Sequence, residues 1–452
     1  LVRGYFMDIF SAQMTIEQKA EWLKGNLDKI AEKSGDYLLL PIGADHLGVE
    51  PDIAEQIKQV NKLLDGYEIK LSDPFEYFEL VKDNFKQFEW NDELRDNSKT
   101  FILQGSYSAR TKLKQYNVKC TYLLEQADKL QQKYGSKYNA VIEYAYKLLL
   151  KNQAHDGICG CSTDLVHREN ITRYEKIIQI SNSIIEELRL EHNFKTPIMQ
   201  SKELIPEYKV ISKHFGVENS LLYDTQKIPI TEDFTDIYTL KYAPAEPCNI
   251  KFEVKNGKIR INNIEMEFVR FKDDGDTYNF GAVADDEGEK AEIYSFKNNI
   301  IKTSFFDVQV EFGKTINFKI EWDNKLKNKL WQVKFNLKQP VAETYSEDMN
   351  TIIRREFDPD YDMREHLPEM RGIEVKTNFA PMQRYVGAQG FGIITQGLTE
   401  YEVKGKSLLV TLLRSTGVIS NPKNPSRTTP AGPPFEVPEA QQLGCNCAEF
   451  SV

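Results

Sequence analysis

The sequence predicts a multidomain α+β protein in three parts, and three observations carry that prediction. Near the start, a short continuous apolar run, "DYLLLPIGADH", sits between two helical patterns. Residues 95–195 carry three apolar stripes at helical spacing. Past "NFKTPIMQS" the hydrophobic period changes from 3.6 to 2 and stays there to the end.

Taken in order, "TIEQKAEWLKGNLDKIAEKS" predicts a helix, and the apolar run after it, closed by a glycine and two polar residues, predicts a buried parallel strand. Ile53, Ile57, Val60 and Leu64 follow at spacings of three and four, a second helix, so the unit reads helix, strand, loop, helix, as in an α/β domain. Leu113, Tyr116, Cys120, Leu123, Leu124, Ala127 and Leu130 make the first stripe of the middle region. Val141, Ile142, Ala145, Leu148 and Leu149 make the second, and Tyr174, Ile177, Ile178, Ile184, Ile185 and Leu188 the third, which suits a small antiparallel bundle. In "KFEVKNGKIRI" the pair Asn256-Gly257 stands between alternating strands, the strongest short-range hairpin signal. Alternation recurs through "FFDVQVEFGKTINFKIEW" and "LWQVKFNLKQ", and the last part reads as antiparallel β-sandwich with no helical domain inserted. The expected domains are 1–95, 96–200 and 201–452.

Composition narrows the function classes. At 452 residues, with 40% hydrophobic and 28% charged content, the chain is ordinary globular protein. A balance of 58 basic against 68 acidic residues gives −10, which repels nucleic-acid and anionic lipid surfaces. No apolar run approaches the ~18 residues that span a bilayer. Six cysteines in so long a chain make no disulfide framework, and reduced thiols in a cytoplasmic setting are expected. The chain opens on Leu1 inside an apolar pattern, as if in the middle of something.

Two stretches carry candidate chemistry. "LPIGADHLGVEPD" places Asp45 and His46 just past the carboxyl end of the predicted strand, where α/β folds collect catalytic side chains. A carboxylic acid there serves as general acid when burial or a neighbouring negative charge raises its pKa. The plain alternative is that Asp45 caps the following helix. "NQAHDGICGCSTD" sets His155 directly before Asp156, in a run with two glycines and two cysteines, in a chain of only six histidines. A ligand, a redox pair and a turn are all open there. One His and one Asp do not close a zinc site, and no H-x-D, H-x-H or H-E-x-x-H occurs in the chain. Cys159 and Cys161 have neither the spacing nor the second pair of a zinc site. His46, His167, His192, His214 and His366 read as structural.

"LPIGADH", "GSYSARTKLKQYN", "NQAHDGICGCSTDLVHRENITRY", "GDTYNF", "PMQRYV" and "LLRSTGVIS", in this order, resemble the downstream part of glycoside hydrolase family 38, the zinc-dependent α-mannosidases, in its bacterial branch. The resemblance runs nearly end to end, and its G-x-D, G-x-Y-x-x-R and H-D-x-(I or V)-x-G stations are specific in combination. It implies that 1–95 is the C-terminal part of a β/α catalytic domain, 96–200 a three-helix middle domain and 201–452 a β-sandwich region. The implied activity is exo-acting and retaining, releasing mannose from an α-mannoside by double displacement, with Zn2+ as cofactor.

Residue by residue, the resemblance makes Asp45 the general acid/base, His155 the final zinc ligand, and Asp156 a partner of the mannose hydroxyls. Arg110 matches a station arginine that contacts sugar or positions the loop, and Tyr278 is a candidate lining the site from the β region. Cys159 and Cys161 stay structural, their small neighbours letting the backbone turn so that His155 points inward. Ala44 stands where many eukaryotic members carry an aspartate, so the resemblance does not carry that sugar contact over to this chain. The family's nucleophile and H-x-D zinc pair belong to a part of the catalytic domain outside this sequence, so the chain alone is expected to be inactive. The alternative reading is a non-catalytic scaffold or carbohydrate-binding module of a split protein. No nucleic-acid or membrane partner is expected, and a homodimer is the default assembly.

Overall fold

A computed structural model describes residues 9–32, 35–43, 48–84, 89, 93, 95, 101–193, 250–313, 315–348, 351–366 and 374–452. The chain forms two compact units, Leu1–Leu94 and Arg95–Val452.

In the first unit, helix α1 (Ile16–Ala31) starts at a capping box in which Thr15 and Gln18 satisfy each other's backbone amides. Helix α2 (Ile53–Asn61) packs its Ile57 and Val60 against Leu23 and Leu27 of α1. Helix α3 (Pro74–Val81) is started by Asp73, whose carboxylate accepts the amides of Phe75 and Glu76, with Pro74 preset for the first turn. The predicted parallel strand is not formed: residues 35–43 carry no ladder. Leu38 and Leu40 lean on the α1–α2 core while Leu39 and Ile42 face outward. The apolar run has strand character, but a strand needs a neighbour to bond, and the described residues of this unit offer none. Asp45 and His46 lie outside the described residues.

The second unit begins with the bundle of α4 (Thr111–Lys133), α5 (Asn139–Asn152) and α7 (Asp164–His192), with the short α6 (His155–Cys159) between the last two. The three stripes meet as expected. Leu124 and Ala127 of α4, Ile142 and Ala145 of α5, and Tyr174, Ile177 and Ile184 of α7 share one core. Each large apolar side chain so buried contributes about 1.5–3 kcal/mol. His167 is buried in α7; its Nε2 accepts the Ser162 amide at 3.1 Å, and burial pushes its pKa down to about 3, so it stays neutral. His192 stacks on Tyr134. His214 is outside the described residues, and His366 ends a short helix, Met363–His366.

From residue 250 onward the unit is two facing antiparallel sheets. The first runs, edge to edge, through 252–255, 258–261, 264–272, 329–336, 407–415, 400–404 and 379–381, with 289–290 paired to 264–272. The second runs through 351–356, 343–348, 385–388, 391–395, 444–451, 316–324, 307–312, 300–303 and 293–297. Their inner faces bury Phe268, Phe318, Val333, Phe335 and Leu408. Asn256 (φ +53°) and Gly257 (φ +68°) make the predicted tight turn, closing the pair Lys255–Lys258. The described residues between 250 and 340 contain no helix. Residues 201–249, included in the β-region expectation, lie outside the described residues.

Candidate functional site

Helix α6 presents His155 and Asp156 in its single first turn, so the predicted loop is in fact a short helix. The His155 side chain is 92% exposed, and its Nε2 lies 3.7 Å from Asp156 Oδ1. Two glycines make the placement possible. A Cβ on Gly157 would stand 3.1 Å from Asn152 O, and Gly160 takes φ +79° with a Cβ position 3.0 Å from Ala109 O. The chain therefore reverses between α5 and α7 within a few residues, leaving His155 and Asp156 on the outside of the turn.

Two buried cations from the start of α4 hold the far end of α6. Arg110, in the left-handed region at φ +50°, donates from Nε to Gly160 O at 3.3 Å and from Nη2 to Ser162 O at 3.4 Å, and pairs with Asp164 at 2.6 Å. These contacts position the loop. Lys114 donates to Ala109 O and, at 3.1 Å, to Cys159 O; burial lowers its pKa to about 8. Cys161 donates to Thr277 O at 3.5 Å, and burial pushes its thiol up to about 12, so it stays protonated. Cys159 and Cys161 are both free thiols.

Thr277 belongs to the segment 273–282 of the β region, which carries Tyr278. Two buried arginines fix this segment. Arg414 pairs with Asp273 at 2.8 Å and donates to the carbonyls of Gly105, Asp276 and Asn279. Arg427 grips the Asp276 carboxylate and donates to Asn279 Oδ1 at 2.7 Å. Tyr278 is half-buried, its ring centroid 6.0 Å from the Arg427 guanidinium and its hydroxyl against Gly432. Burial first, then the nearby carboxylates of Asp156 and Asp276, hold its pKa above the ordinary tyrosine value. It is thus a neutral hydroxyl.

The structure brings His155, Asp156, Arg110 and Tyr278 into one neighbourhood of a single unit. Asp45 belongs to the other unit and to a stretch outside the described residues. Sequence reasoning missed Lys114, Asp164, Arg414 and Arg427. Arg414 and Arg427 lie 141 and 151 residues from the aspartates they hold, and no spacing rule pairs such residues. A sharper signal was available in "DDGD" at Asp273–Asp276, since buried carboxylates demand buried cations.

For a metal, His155 is suited: its ring is outside the packed core and, among the described residues, has no short hydrogen bond to give up. Among the described residues, no group of three or more His, Cys, Asp or Glu is disposed to hold a metal ion. No helix of the described residues is long and apolar enough to cross a membrane.

Comparison with known proteins fits this arrangement. Residues 102–189 match the family described as the α-mannosidase middle domain. The chain is 35% identical over 179 residues to a protein of Halalkalibacterium halodurans provisionally assigned as a mannosylglycerate hydrolase, a match covering 38% of this chain and 20% of that one. Its fold is similar to an α-mannosidase from Enterococcus faecalis (TM-score 0.69, 17% identity, 97% of this chain and 66% of that one). It is also similar to a glycosyl hydrolase family 38 protein from the same organism (TM-score 0.66, 17% identity, 100% of this chain and 67% of that one). The chain thus spans about two thirds of these solved structures.

Proposed function

We propose that the chain is an α-mannosidase-like protein of glycoside hydrolase family 38 and works as part of an exo-acting, retaining α-mannosidase; its middle-domain match and its fold likeness support this. The observation that carries this reading is the pair His155–Asp156, outward on a turn clamped by Arg110 and Lys114 and tied through Cys161 to Thr277, the neighbour of Tyr278. Asp156, 55% exposed at the side chain, accepts hydrogen bonds from sugar hydroxyls. Tyr278, kept neutral, is a donor to a further sugar hydroxyl. Asp45 protonates the departing oxygen and in the second step draws a proton from water. His155 would be one ligand of a zinc ion, which when bound polarises adjacent sugar hydroxyls. The remaining ligands and the nucleophile are assigned, by the family resemblance, to a part of the catalytic domain that this sequence does not contain.

The thiols at Cys120, Cys159, Cys161, Cys445 and Cys447 are free, which suits a reducing cytoplasm. The named relative makes mannosylglycerate a substrate to test beside α-1,3 and α-1,6 mannosides. In a complete enzyme, His155→Ala is expected to lower zinc content and turnover together, and Asp45→Asn to abolish turnover with zinc retained. The opposite pattern would exchange their roles. The 452-residue chain alone is expected to hydrolyse no aryl α-mannoside above background, since loss of a covalent nucleophile costs several orders of magnitude. Robust turnover by that chain would overturn the division of labour.

A further inference from the structure

We propose that the cleft between α4 and the outer face of the second sheet binds a neutral oligosaccharide, at a site distinct from His155 and Asp156. The cleft has a volume of about 1270 Å3, and none of His155, Asp156 or Tyr278 lines it. One wall is a single stripe of α4, Lys112, Tyr116 and Lys119, at spacings of four and three. The floor is the outward set of strand 444–451, Cys445, Cys447 and Glu449, with their cross-strand partners Asp323, Glu321 and Lys319. One end is held shut: Gln115 Nε2 donates to Cys447 O at 2.7 Å, and the turn at Gly397 packs directly on the Gln115 backbone. Both walls belong to one compact unit, so the cleft is preformed.

Its chemistry selects the ligand class. Three lysines face four carboxylates, Glu311 included, so neither sign dominates and an anionic ligand gains little. The apolar side chains of the lining, Val118, Leu123 and Trp322, are half-buried or buried, so among the described residues no exposed apolar ridge is left in the cleft for a partner helix. A lining that sets mixed donors and acceptors beside apolar patches suits a ligand with both, and a sugar, with hydroxyls at its rim and C–H faces, is such a ligand. Tyr116, half-buried and stacked on Tyr174 at 5.8 Å, adds a rigid ring for the apolar face of a pyranose. The polyhydroxyl class follows from the cleft alone; the choice of mannose rests on the proposed function.

Cys445, exposed on the floor, gives a direct readout. Mannotriose is titrated into the whole chain, and alkylation of Cys445 by iodoacetamide is followed by peptide mass spectrometry. With a Kd of ~1 mM, 5 mM sugar is expected to slow modification about sixfold. Tyr116→Ala with Lys119→Ala should abolish the protection, while His155→Ala should leave it intact. Buried Cys120 reports folding by staying unreactive, and Lys119→Glu, a surface change, repeats the test should the double variant unfold. Absence of protection, protection unchanged in the cleft variants, or protection lost in His155→Ala would each overturn the proposal. Protection in a chain whose complete enzyme cleaves no mannoside would sink the catalytic reading alone; cleavage without protection would sink the cleft alone.

Discussion

His155 lies five residues before Gly160 and Arg110 donates to the Gly160 carbonyl, yet the two face opposite fates on mutation. His155 is exposed and, among the described residues, carries only a long contact to Asp156, so His155→Ala should change stability by no more than about 0.5 kcal/mol. Arg110 is 5% exposed and holds Gly160 O, Ser162 O and the Asp164 carboxylate. Its removal strands a largely buried carboxylate, and Arg110→Ala should cost about 3–5 kcal/mol in denaturant unfolding. Equal effects would mean that the clamp does not position α6. The contrast also marks what the sequence could tell. His155-Asp156 is legible as a motif because its chemistry is local. The clamp is not, because Arg110, Lys114, Arg414 and Arg427 act on carbonyls and carboxylates brought near by packing alone.

At the scale of elements, the three bundle helices and the hairpin at Asn256-Gly257 were legible because each carries its own period or turn chemistry. The segment 35–43 was misread for the complementary reason: a continuous apolar run states that a strand is wanted, and only a neighbour makes it one. The turn after α6 gives a sharp test. Gly160→Ala adds a Cβ 3.0 Å from Ala109 O at φ +79°, so a loss of about 1–2 kcal/mol is expected, with faster amide exchange in 155–161. Unchanged stability would show that the turn has slack. In strand 400–404, burial raises the Glu400 pKa to about 7, with Arg414 and Thr411 offsetting only part of the shift. The folded state therefore binds more protons than the unfolded one between about 4.5 and 7. Stability from this group is present at the acid end and is lost as pH rises through that window, on the order of 3 kcal/mol. Glu400→Gln should remove that slope from stability measured against pH; an unchanged profile would place the titration elsewhere.

At the scale of the whole molecule, apolar exposure is unevenly shared. Ten of the 21 large apolar side chains exposed among the described residues lie in Leu1–Leu94, although that unit has 94 of the 452 residues. Its described core holds nine buried apolar side chains, against 31 in the main sandwich core. Helix α3 shows the imbalance most clearly: Phe75 is 81% and Phe78 52% exposed on the same short helix. Exposed apolar surface of this kind binds hydrophobic dyes, and a small core gives a low unfolding free energy. Calorimetry of the chain should therefore resolve a first, smaller transition that is missing from a chain of residues 95–452, while the later transition keeps its midpoint. Dye fluorescence of the native chain should fall when Phe75 and Phe78 are both changed to Glu, and fall further in residues 95–452. One transition whose midpoint drops when Leu1–Leu94 is removed would show instead that the two units share their stability, and dye binding indifferent to Phe75 and Phe78 would place the exposed surface on the second unit.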